Sequence, residues 1–295
     1  MPGLARLLAR GNALAPQAGA TEACCRALGI TRQQDWPVAP CSARTRGLPT
    51  QTGYWLRLDP VFMDVNMQGM FLRAVPNLGP QDTPALETCL GPVFAEQAME
   101  AHFGADGIIH VRLESPPALA TTPLDEVAGR LPTRFLPRGE DAPRWTRLMH
   151  ELQMALHDHP LNLARQAAHG LPVNSYWIWG GGVIPEDLSL PAGVWCGPDT
   201  LAELARGLDV PVRPIPADIR ALLAEDVKTA VCQLEGLSPP PGSPDPDWNN
   251  LDARWFRPLS KALALGRLGR LRLIFTSGTR PGSELDRAAA WRFWR

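Results

Sequence analysis

The chain reads as an α/β protein in two parts, an α+β unit up to about Cys196 and an α/β unit beyond it. Three observations carry this. In the first part, stretches of strand-like alternation such as residues 54–59 are interspersed with helix-period stretches such as 144–159. After Pro198, short helices and short apolar runs take turns, the pattern of a parallel sheet with helices on its faces. The 295 residues, 45% hydrophobic and 20% charged, suffice for one large domain or two modest ones with real cores.

Taken in order, residues 4–14 and 20–28 are expected as short helices, with Gly29 stopping the second. Residues 36–53 are turn-rich. Residues 54–59 alternate as a strand, and 70–75 pair with it across Gly69. Residues 84–103 read as helix and 107–113 as a strand ended by Ser115-Pro116-Pro117. Asp141 and Pro143 suit the start of a helix over 144–159, where Trp145, Leu148, Met149, Leu152 and Leu156 share one face. Pro160 ends it. A strand at 175–179 leads into three glycines. Thr200 and Glu203 make a capping box for a helix closed by Gly207. Strands are expected at 210–215, 228–234 and 271–276, helices at 217–224 and 251–265, and a proline-rich loop at 238–246.

Bulk properties exclude several functions. A net charge of -1 lacks the basic footprint of sequence-independent nucleic-acid binding. No apolar run is long enough to span a bilayer, and the start, MPGLARLLARGNAL, lacks a signal-peptide core. No cysteine pair has CxxC spacing, so a cytoplasmic protein with buried, inert thiols is expected.

The richest segment is 158–185, DHPLNLARQAAHGLPVNSYWIWGGGVIP. Asn162 and Arg165 lie three apart and share a face if a helix resumes after Pro160, where an amide beside a guanidinium suits a carboxylate or phosphate. The alternative is that Arg165 pairs with an acid and Asn162 caps a helix. Trp177 and Trp179 share a strand face. Gly180, Gly181 and Gly182 allow close backbone approach, as an anion nest or as a loop, but match neither GxGxxG nor a P-loop. His150, His157, His159 and His169 have no acid or cysteine at metal-ligand spacing. Asp59, Asp64, Asp106, Asp125 and Asp141 sit near turns and form no acid/base couple. The Arg/Trp-rich tail from Arg287 onward (RAAAWRFWR) suits docking on its own core or on a partner.

HPLNLARQAAHGLPVNSYWIWGGG resembles a segment of the archaeal-type, cofactor-independent phosphoglycerate mutases, and more closely that of a shorter bacterial group labelled RpfE-type regulatory or phosphoglycerate-mutase-like proteins. TTPLDEVAGRLPTRFLPRGEDAPRWTRLM, YWLRLDP and the ending WRFWR are similar to that group as well. The resemblance implies an alkaline-phosphatase-like, mostly parallel core formed by 1–53 and 197–295, shortened at its N-terminus, with an inserted α+β domain at 54–196. It also implies a two-metal site and a serine nucleophile, since paired cations clamp the attacking and leaving oxygens. Here Ala20 stands in the serine's place, Thr276-Ser277-Gly278 replaces an Asp-His pair, residues 238–243 lack a second such pair, and Pro123-Leu124-Asp125 lacks a histidine. With its ligands stripped, no metal and no cofactor are expected.

The expected function is therefore non-catalytic and regulatory, binding a phosphorylated small molecule or a protein partner, with neither nucleic acid nor membrane involved. His159, Asn162, Arg165, Asn174, Trp177, Trp179, Gly180, Gly181 and Gly182 are the candidate ligand-binding residues, kept for binding or for packing, with Asp59 and Asp125 secondary. The alternatives are a residual mutase or phosphatase with altered metal ligands, and a structural or interaction subunit.

Overall fold

A computed structural model describes residues 1–66, 69–75, 78–225, 227–234, 247–276 and 280–291. The fold is mixed α/β, with several sheets, and the chain forms two compact units: Met1–Ile30 with Leu188–Arg295, and Thr31–Asp187.

The discontinuous unit opens with helix α1 (Pro2–Arg10), strand β1 (Asn12–Leu14) and helix α2 (Ala20–Ala27). One helix over 4–14 was expected. It stops at Gly11, whose extended backbone releases the next residues to pair in a sheet. Gly29 takes φ +76 after α2, the left-handed conformation of a helix stop.

The continuous unit contains α3 (Val38–Thr45), β2 (Tyr54–Asn66), β3 (Gly69–Ala74), α4 (Thr83–Glu96), β4 (Glu100–Phe103), β5 (Ile109–Leu113), α5 (Leu124–Val127), α6 (Ala142–Leu156), α7 (Pro160–Ala167) and β6 (Ser175–Gly182). Its sheet is antiparallel and built around β2. One edge of β2 pairs with β5 over 54–58 and with β3 over 61–66, and the other edge pairs with β6. Pro60, which has no N–H, falls at the hand-over from β5 to β3. The expected helix over 84–103 breaks after Glu96, Ala98 turns left-handed at φ 52, and residues 100–103 add β4 beside β5. Strand β6 is buried along its whole length, and both α3 and α6 pack against it. The apolar face of α6 expected from periodicity is the buried one: Trp145, Leu148, Met149, Leu152 and Leu156.

The discontinuous unit resumes with β7 (Gly193–Trp195), α8 (Thr200–Gly207), β8 (Val212–Arg213), α9 (Ile219–Leu223), β9 (Ala230–Cys232), α10 (Trp248–Leu251), a π-helical turn (Asp252–Phe256), α11 (Arg257–Ala264), β10 (Arg270–Leu273) and β11 (Gly282–Asp286). Strands β8 and β9, both expected, join a parallel sheet whose middle strand, β7, sequence reasoning missed. Strand β10 departs from that expectation, because its neighbour is β11, antiparallel, with β1 on the far side. Asp199 caps α8 by accepting from Leu201 N and Ala202 N, in place of the expected Thr200/Glu203 box. The core gathers Leu4, Leu7, Trp195, Trp255, Phe256 and Leu285, among others.

The units divide at Ile30/Thr31 and Asp187/Leu188 instead of 53/54 and 196/197. Residues 38–45, read as turn, form α3 and pack on β2 and β6, which draws them into the continuous unit. Strand β7 pairs with strands that follow it, which draws 193–195 into the other. The expected proline-rich loop and the last residues of the Arg/Trp tail lie outside the described residues.

Candidate functional site

The side chains singled out in 158–185 are engaged with their own unit. His159 sits at the N-cap of α7, its Nδ1 accepting from Leu161 N at 3.3 Å. Asn162 is buried and joins two segments. Its Nδ2 donates to Leu156 O at 3.1 Å and to Val173 O at 2.7 Å, and its Oδ1 accepts from Val173 N at 2.8 Å. Arg165 donates from Nε to Leu171 O at 2.8 Å, and its Nη1 lies 3.6 Å from Asp82. Asn174 bonds both backbone groups of Met63, at 2.7 and 3.0 Å, one residue beyond the β2–β6 ladder. These donors close the loop after α7 and fix where β6 begins. Asn162→Ala strands the buried N–H and C=O of Val173 and is expected to cost on the order of 2–3 kcal/mol in urea unfolding. A side chain held for a ligand alone would leave stability unchanged.

The glycine run is a correction to the anion-nest expectation. It is the end of β6, lying against α3. Gly180 has φ +75, and the register slips there: Trp55 pairs with Gly182, but Arg57 with Trp179. This is a β-bulge on the glycine strand. Cβ atoms would meet Val38 at 3.3 Å from Gly180, Leu56 Cδ2 at 2.9 Å from Gly181 and Pro37 Cβ at 2.6 Å from Gly182. The space that glycine leaves is filled by protein. The carboxylate nearby is the chain's own: Asp35 is buried and accepts from Thr121 N and Thr121 Oγ1, with the Gly181 amide as a further donor. Burial pushes the Asp35 pKa up, against the lowering by Thr121, Arg32 and Gly181.

Trp177 is fully buried and donates to Thr122 O at 2.9 Å. Trp179 belongs to a polar network of which sequence reasoning singled out only Trp179 and Asp59 and missed Arg57, Ser42 and His110. Its Nε1 donates to Asp59 Oδ2. Arg57 grips the same carboxylate with two donors, Nε at 2.8 Å and Nη2 at 2.9 Å, and lies over the Trp179 ring at 5.3 Å. Arg57 Nη1 also reaches Ser42 Oγ at 3.2 Å, and Ser42 Oγ is 2.8 Å from His110 Nε2. All five residues are buried. The available signal was the spacing of Arg57 and Asp59, two apart on one strand and hence on one face.

A serine beside a histidine invites a nucleophile reading, but His110 Nδ1 has no partner among the described residues, so no carboxylate orients the ring. Burial, aided by the charges of Arg57, Arg46 and His102, holds the His110 pKa well below 6.5. Unfolded chains take up a proton below about pH 6.5 while the folded chain does not, so stability is full above that pH and falls on acidification by about 1.4 kcal/mol per unit. The expected result is a lower melting temperature at about pH 5.5 than at about pH 7.5, with a flatter profile in His110→Gln. Identical profiles would remove His110 as the cause.

Asp125 is exposed on α5. His150 and His157 are exposed too, and His157 lies 3.4 Å from the exposed Asp158. Among the described residues, no three His, Cys, Asp or Glu side chains converge as a cation's donor set would require. Among the described residues, the side chains present therefore do not assemble the donor set of the paired metals that the resemblance implies. Ala20 begins α2, and Leu124 begins α5. Ser277, Gly278 and 238–243 lie outside the described residues. A cleft of about 420 Å³ is lined by Glu100, Arg112, Glu114, Asp141, Arg144 and Trp145, among others, and by none of the sequence candidates.

No family model matches the chain. Over 65 residues, 22% of the chain, it is 35% identical to a 2,3-bisphosphoglycerate-independent phosphoglycerate mutase of Methanosarcina mazei. Over 94 residues, 31% of the chain, it is 31% identical to a probable enzyme of the same name from Geobacter sulfurreducens. The matched stretches span only 16% and 24% of those relatives' lengths. A solved cofactor-independent phosphoglycerate mutase from Thermoplasma acidophilum is similar at a TM-score of 0.39 and 14% identity, covering 96% of this chain and 81% of that one. The sequence matches make the chain a distant relative of these mutases. No helix among the described residues is long and apolar enough to cross a membrane.

Proposed function

We propose that this chain is a mutase-related protein of the RpfE-type regulatory kind that binds a partner without phosphoryl transfer and works without metal in the cytoplasm. Its kinship with the alkaline-phosphatase-like enzymes is part of the same reading. The observation that carries it is the donor set: among the described residues no three metal-ligating side chains converge. Ala20, at the start of α2, also offers no oxygen for a covalent phosphoryl intermediate. Between the two expected occupants, a protein partner is favoured over a phosphorylated metabolite. Asn162, Arg165 and Asn174, the side chains assigned to the metabolite, bond their own backbone. The test is metal analysis of the purified full-length chain together with a coupled assay converting 3-phosphoglycerate to 2-phosphoglycerate. Substoichiometric manganese and zinc with no turnover are expected, also after both metals are added. Stoichiometric metal with turnover overturns the reading.

A further inference from the structure

We infer that the segment 128–139 (AGRLPTRFLPRG) is a docking surface for an acidic protein segment. It carries three arginines and no acid. Arg130, Arg134 and Arg138 are all exposed. Local contacts tie two of them to their neighbours in the segment. Arg138 Nη2 donates to Arg134 O at 3.1 Å, and the Arg130 guanidinium lies 6.0 Å from the centre of the Phe135 ring. Arg138 thus reaches the Arg134 carbonyl, and Arg130 lies near the ring of the next residue, Phe135.

The segment is held in place. Arg138 and Ala120 exchange backbone hydrogen bonds at 2.7 and 2.9 Å, Gly129 N donates to Leu72 O at 3.0 Å, and Phe135 N donates to Pro132 O at 2.9 Å. Pro132 and Pro137 are buried and anchor it from beneath. Among the described residues none of the three arginines has an acidic partner at ion-pair distance. Three like charges on one short segment repel one another. An external anion relieves that repulsion, and arginines carried on a held backbone lose less entropy in binding it.

The segment does not line the cleft of about 420 Å³. It suits carboxylates spread along a partner's chain. Phe135 and the part-exposed Leu131 add apolar contact. This inference deepens the proposal of a binding protein and rests on it, but its test measures no turnover, so either idea can fail without the other.

The test is fluorescence anisotropy of a labelled polyglutamate peptide titrated with the whole chain at low salt. The triple variant Arg130→Ser, Arg134→Ser, Arg138→Ser is expected to bind about tenfold or more weakly, with an unchanged melting temperature. The double variant Arg144→Ser, Arg147→Ser, which removes exposed arginines elsewhere, is expected to bind like the parent. Should the triple variant melt early, Arg134→Ser alone is expected to weaken binding severalfold. Equal binding by the parent, the Arg134→Ser variant and the triple variant overturns the inference. So does equal weakening by the control, absence of polyglutamate binding, or tighter binding of duplex DNA than of polyglutamate.

Discussion

Arg57→Leu is expected to destabilise the unit Thr31–Asp187 by about 3–5 kcal/mol, seen as a lower urea midpoint at unchanged slope. Arg57 supplies two of the donors on Asp59 and the bond to Ser42. Both members of the pair are buried. Removing the guanidinium leaves a carboxylate in the sheet with Trp179 as its remaining donor, and no countercharge, among the described residues. The pair itself need not stabilise the fold, because taking two charges out of water costs about what their attraction returns. The double variant Arg57→Leu, Asp59→Leu is therefore expected to recover most of the loss. If single and double variants were equally destabilised, lost packing over Trp179 would be the cause, and the electrostatic account would fail.

What sequence conveyed here depended on the range of the cause. Helix α6 and strand β2 declare themselves through local period, and the structure keeps the face expected of α6. Helix α3 hides behind Pro37 and Pro40 and takes its place from β2 and β6. Strand β11, GSELD, has little intrinsic strand character and exists because β1 and β10 flank it. The segment 158–185 was legible as unusual, since polar donors rarely alternate with tryptophans. The partners of those donors were not legible, because they are mostly backbone carbonyls and amides that every residue carries. The same limit hid the Ser42–His110 contact, which joins residues 68 positions apart.

A contact of this kind with still longer range sets the last prediction. Asp252→Ala is expected to cost the discontinuous unit about 2–4 kcal/mol, because it strands buried backbone donors. Helix α1 begins without a side-chain cap of its own. Its first free amides, Gly3 N and Leu4 N, donate instead to the two oxygens of Asp252, each at 3.1 Å, across some 250 residues of sequence. The π-helical turn presents this carboxylate, and Arg257 Nε completes its shell at 2.9 Å. Gly3 is part of the device, for a Cβ there would lie 2.8 Å from both Arg257 N and Asp252 Oδ1. Burial works against the charge of Asp252, but the bonds from Gly3, Arg257 and Leu4 outweigh it and hold its pKa below 3.8. On acidification the unfolded chain takes the proton first, so this contribution is complete above pH 3.8 and is lost as pH falls through the folded value. Urea unfolding at neutral pH, followed through the buried Trp195 and Trp255, measures the loss. Asp252→Asn keeps one acceptor oxygen and is expected to fall between Ala and the parent. A full retention of stability in Asp252→Ala would mean that water satisfies the start of α1 and that the π-helical turn has another cause.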